Sequence, residues 1–149
     1  MSELNPFYRD VVRMAAEVRE IVRPEAENTA YEELYREALS AFVFGMATAA
    51  GKENELKPAD LHGLTAICLY EVFQYCPEEA AQFVQELELA TLATDGGGTA
   101  GAVIRRGVEG YALWKNRDPE TLRVTLVQLL DSLERREGAE GVPLKPSST

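Results

Sequence analysis

Apolar residues recur at helical rather than strand spacing along most of the chain, and proline, glycine and capping residues separate the periodic stretches. Phe7, Val11, Met14, Val18 and Ile21 or Val22 form a first stripe, opened by Asn5-Pro6 and closed by Pro24. Thr29 and Glu32 have capping-box spacing, and Tyr31, Leu34, Tyr35, Ala38, Phe42, Gly45 and Ala49 then continue along one face to Gly51. A third helix opens at Lys57-Pro58-Ala59-Asp60 and runs to about Tyr75. Its apolar positions, Leu61, Leu64, Ala66, Ile67, Cys68, Leu69, Val72 and Phe73, cover most of its circumference, which predicts a central helix surrounded by the others.

Cys76-Pro77-Glu78-Glu79 starts a fourth helix, with Ala80, Phe83, Val84 and Leu87 on its apolar side and a break at Gly96 to Gly98. A fifth spans Thr99 or Ala100 to Asn116 and carries Gly101, Gly107 and Gly110, each a cost of about 1 kcal/mol against alanine. Gly107 and Gly110 share one side, so a neighbouring backbone is expected to come close there. Asp118-Pro119-Glu120 opens a sixth helix with Leu122, Leu126, Leu129, Leu130 and Leu133 as its stripe, ending near Gly138. No Asn-Gly or Asp-Gly pair is flanked by alternating apolar and polar residues, and β-branched runs are short. The expected fold is all-α, a compact bundle of about six helices in antiparallel hairpins over residues 1–138, with 139–149 as a tail. The similar starts at Cys76 and Asp118 leave a short helical-repeat solenoid as the alternative.

The chain has 149 residues, 46% hydrophobic and 27% charged, the balance of an ordinary globular domain. Its 25 acids against 15 bases give a formal net charge of −10, which disfavours nucleic acid and anionic membrane surfaces as partners. The start of the chain lacks the basic flank and apolar run of a secretory signal, and no stretch approaches the roughly 20 apolar residues of a membrane span, so a cytoplasmic location is expected. Two cysteines, Cys68 and Cys76, are expected as reduced, buried thiols, with Cys76 as a helix cap or a packed group.

Charge is unevenly placed. No lysine or arginine occurs between Lys57 and Arg105, where random mixing would put about five. The acids of that span are Asp60, Glu71, Glu78, Glu79, Glu86, Glu88 and Asp95, and a second group, Glu25, Glu27, Glu32, Glu33 and Glu37, has only Arg36 against it. Such a face steers a basic partner, or serves solubility alone. The expected partner-binding surface is Tyr70, Glu71, Gln74, Glu78, Glu79, Gln82, Glu86 and Glu88, an aromatic anchor with a carboxylate rim. Tyr31 and Tyr35 extend it only if they are not core, and their alignment with Phe42 favours the core. Reversal of Glu78, Glu79, Glu86 and Glu88 to lysine is expected to abolish binding while leaving melting nearly unchanged.

Catalytic and cofactor chemistry find little support. Gly96, Gly98 and Gly101 satisfy G-x-G-x-x-G, with Arg105 and Arg106 beyond, but the preceding segment reads as helix where a dinucleotide motif needs a strand. His62 is the sole histidine, which excludes multi-histidine metal sites, and it sits roughly 120° around one helix from Cys68. Tyr111 and Trp114 are expected in packing between helices. No catalytic residue, cofactor or metal is therefore assigned. In its small size, acidity, helical character and base-free segment from Asp60 to Asp95, the chain resembles the immunity proteins that bacteria pair with secreted toxins. That resemblance implies a non-enzymatic inhibitor of a cognate toxin, with a basic toxin domain as partner. A helical adaptor or chaperone-like protein and a small-ligand sensor are the alternatives.

Overall fold

The computed structural model describes residues 4–23, 32–93 and 96–140, with side chains from 7 and up to 135. Among the described residues six helices follow one another: α1 (Leu4–Ile21), α2 (Glu32–Glu53), α3 (Pro58–Phe73), α4 (Pro77–Leu92), α5 (Gly98–Lys115) and α6 (Pro119–Glu140). Among the described residues there is no strand. The expected caps at the start of the third, fourth and sixth helices are in place: Pro58, Pro77 and Pro119 each occupy the first helical position, where the missing N–H costs nothing. Asp118 accepts from the Thr121 N–H at 3.1 Å, and those bonds hold its carboxyl below the usual carboxylate range. Pro24, Thr29 and Tyr31, and the tail from 141 onward, lie outside the described residues.

The centre of the bundle is α2, not α3 as the apolar pattern predicts. Helices α1, α3, α4, α5 and α6 pack each against the next and back to α1 as a closed ring, and α2 packs against α1, α3, α4 and α5 within it. Tyr35, buried as its alignment with Phe42 predicts, carries α2 to the sixth helix by donating its hydroxyl to Glu134. Every residue of α2 from Ala38 to Ala47 is buried. By contrast α3 buries only Leu64, Thr65, Cys68, Leu69, Val72 and Phe73, and leaves Ile67 and Tyr70 about half exposed. The closed ring excludes the open stacking of a solenoid.

Why α2 takes the centre is visible where it crosses α5. A Cβ on Gly45 would stand 2.1 Å from the Ile104 carbonyl oxygen, and one on Gly107 would stand 2.0 Å from that of Phe42. A Cβ on Gly110 would meet the Phe42 ring at 2.4 Å. The helices therefore touch backbone to backbone, closer than side chains larger than hydrogen permit, as the spacing of Gly107 and Gly110 predicts. Gly51, expected to end the second helix, is instead a buried position inside it, packed against Leu61, and the helix runs on to Glu53 before Glu55 turns left-handed.

Candidate partner-binding surface

Helices α3 and α4 form a hairpin on one side of the ring. Helix α3 stops at Gln74, whose left-handed backbone (φ 61°) turns the chain, and no basic residue lies in its last turn. Its negative end is closed from elsewhere: Arg19 of α1 donates to the Val72 carbonyl at 2.6 Å, and Arg36 of α2 donates to the Phe73 carbonyl at 3.3 Å. Cys76 then caps α4, and the Glu79 carboxylate accepts from the Cys76 N–H at 3.2 Å. Cys76 is exposed, contrary to the expectation of two buried thiols, because the cap position lies outside the helix it starts. Cys68 is buried, and desolvation, with Glu71 nearby, pushes its thiol up to about 12.

The eight expected surface residues do not share one face. Tyr70 and Gln74 are exposed on the outer side of α3, while Glu71 turns toward α1 and accepts a hydrogen bond from Tyr8, whose hydroxyl is pushed up to about 12 mainly by that bond. On α4, Glu78 and Gln82 are exposed. Glu79 and Glu86 occupy one flank, in a groove of about 190 Å³ shared with Glu33, Arg36, Tyr75, Gln82 and Phe83, and one oxygen of Glu86 is buried there. Glu88 is on the opposite flank, where His62 of α3 meets it at 3.0 Å. The split follows from helical geometry, since residues 86 and 88 are about 200° apart around the axis.

Arg36 organises the first of these flanks. Its guanidinium lies 4.1 Å over the centre of the Tyr75 ring and donates to Glu33 at 2.9 Å. Burial works against its charge, but the Glu33 carboxylate, the nearby Tyr75 and Glu79 outweigh that and hold it above its usual value. The apparent surplus of acid around Glu33, Glu79 and Glu86 is thus built around Arg36 of α2. Lysine reversal at Glu79 would remove the α4 cap and at Glu86 would face Arg36, so the expectation of nearly unchanged melting does not hold for those two positions. Exposed Glu78, in the first turn of α4, accepts only a long contact from the Cys76 thiol at 3.9 Å.

The structure adds residues that the sequence did not single out. Six large apolar side chains are exposed among the described residues, and four of them are on this hairpin: Ile67 (47%), Tyr70 (52%), Leu89 (61%) and Leu92 (78%). Their signal is the outer stripe Glu78, Gln82, Gln85, Leu89 and Leu92, in which polar spacing gives way to leucine halfway along. The remaining motifs serve structure. Gly96, Gly97 and Gly98 all have positive φ, Arg105 donates to the Gly96 carbonyl at 2.9 Å, and a Cβ on Gly97 would meet the Ala90 carbonyl at 2.3 Å. Gly96 to Gly98 lead into α5 and are pinned by Arg105 from that helix. Trp114 donates to Glu17 at 2.8 Å and stacks near Tyr111, which itself donates to Glu53 at 3.0 Å. Among the described residues no three His, Cys, Asp or Glu side chains are grouped to hold a metal ion, and no helix is long and apolar enough to cross a membrane.

The described residues thus form an all-helical ring around a small-residue crossing, with an acidic hairpin on its outside. The family model of Immunity protein 48 matches residues 7–134, from within α1 to within α6, and the chain belongs to that family of toxin immunity proteins. No curated relative and no solved structure matches the chain.

Proposed function

We propose that the chain neutralises a cognate toxin by binding it, without catalysis, and that the outer face of the α3–α4 hairpin makes the contact with a basic surface of the toxin domain. One observation supports this reading: the hairpin, inside a 47-residue span from Pro58 to Ile104 that has no lysine or arginine, exposes Glu78, Gln82 and Gln85 on its outer side. A field of one sign accelerates encounter with an oppositely charged surface and penalises other partners. A toxin that acts on nucleic acid has a basic groove of that kind, and an acidic helical face held against it competes with phosphate.

The test uses the purified toxin domain against which the chain protects, titrated with the chain while toxin activity and binding are followed. The wild-type chain is expected to inhibit at one-to-one stoichiometry, and its binding to weaken between about 50 and 500 mM salt as the charges are screened. Glu78→Lys with Gln85→Lys, both at exposed positions, should weaken binding at low salt by tenfold or more with unchanged melting. Full binding by that double variant would overturn the assignment of this face, and a complex indifferent to salt would favour an adaptor-like apolar contact instead.

A further inference from the structure

Resting on the reading of this hairpin as the toxin-facing surface, we propose that the energetic centre of the contact is an apolar stripe formed by Ile67, Tyr70, Leu89 and Leu92, and that the partner meets it with an apolar patch rimmed by lysine or arginine. Ile67 and Tyr70 are three residues apart on α3, and Leu89 and Leu92 are three apart on α4, so each pair shares one helical face. The two helices are antiparallel neighbours, and His62 near the start of α3 meets Glu88 near the end of α4 at 3.0 Å, so Leu89 and Leu92 lie toward the open end of the hairpin, Ile67 and Tyr70 toward its turn, and the stripe runs obliquely across both helices.

Single exposed apolar residues are ordinary on a protein surface; several on one hairpin are not. The two exposed elsewhere, Val108 and Val124, are on different helices, and each has an arginine close in sequence, Arg105 or Arg106 and Arg123. The two helices of the hairpin themselves carry no lysine or arginine, and their charged side chains are carboxylates, with His62 beside Glu88. That pattern, a large apolar and aromatic centre inside a polar border, is the anatomy of an interface whose centre supplies affinity and whose rim supplies rate.

Charge complementarity selects the occupant. A second copy would set this base-free face against itself, and acid opposite acid across a shared apolar centre costs several kcal/mol. An anionic bilayer is repelled for the same reason. A protein with cations around an apolar patch satisfies both parts.

The experiment measures binding of the same purified toxin domain at 50 and 500 mM salt. Tyr70→Ala and Leu89→Ala, at positions more than half exposed, keep the fold and are each expected to weaken binding about tenfold or more at both salt concentrations through faster dissociation. Val124→Ala, exposed on another helix, should bind as the wild type does. Normal binding by the two hairpin variants while Glu78→Lys with Gln85→Lys loses it would overturn the apolar centre and leave the charged face standing. Normal binding by all of them would overturn the face altogether. Self-association of the wild-type chain in light scattering, dispersed by Leu89→Ala, would overturn the proposal in favour of a second copy.

Discussion

The α2–α5 crossing and the outer face of the α3–α4 hairpin use small and large residues in opposite ways. At the crossing, Gly45 and Gly107 are buried and the large neighbours, Phe42 and Ile104, present their carbonyls to the glycines. On the hairpin, leucine, isoleucine and tyrosine stand in solvent, and Gly63 has nothing within 4 Å of where a Cβ would be. The first arrangement spends side-chain volume on closeness; the second leaves hydrophobic surface uncovered. Stability therefore resides in residues that a hydropathy scale ranks low, while residues it ranks high are left available for a partner.

The sharpest way to break that contrast is on α3 itself, which faces both ways. Cys68→Asp puts a charge among the buried side chains and should abolish folding, seen as loss of helical circular dichroism, whereas Tyr70→Ala two residues on should leave it intact. Next in size, Gly107→Ala drives a methyl group against the Phe42 carbonyl, and urea denaturation should report a loss of about 1–3 kcal/mol. Alkaline titration should give a smaller effect. The folded chain keeps the protons of Cys68, Tyr8 and Tyr111 up to about pH 12, while the unfolded chain releases them from their ordinary values upward. Their stabilisation is fully present below about pH 9 and is lost as pH rises toward 12, at about 1 kcal/mol per pH unit for Cys68. The melting temperature should fall over that window, and Cys68→Ala should remove its earliest part.

Two further substitutions give the comparison its lower end. Gly63→Ala meets no neighbour and should raise stability by up to about 1 kcal/mol through helix propensity alone, the reverse of the result at Gly107. Leu92→Ser, at a position 78% exposed, should change stability by no more than about 0.5 kcal/mol. A destabilisation there comparable to that of Gly107→Ala would mean that the outer stripe is part of the core after all.

Much of the secondary structure was legible because each start depends on local chemistry. Proline at the first position and Asp118 as a cap act within one turn, and they set the starts of α3, α4 and α6 correctly. The central helix was misread for a different reason. Residues Ala41, Gly45, Ala47 and Ala50 transfer little apolar area each, so a pattern count favours α3 with its leucines and isoleucine, but only small residues let α2 approach every neighbour. The candidate surface was legible as a charge imbalance and not as a geometry. Arg36 stands far from Glu79 and Glu86 in sequence, and only the fold brings it onto Tyr75 between them; the same is true of His62 and Glu88.

The closed ring around α2 also sets an order in time. Helix α2 is made before the partner that meets it backbone to backbone, which ends at Lys115, 62 residues after Glu53. At roughly 5–20 residues per second, α2 waits about 3–12 s without the helix it was shaped for. During that interval its small-residue face is open to proteases and to other nascent chains. A newly made copy therefore completes its core only when α5 has closed over α2.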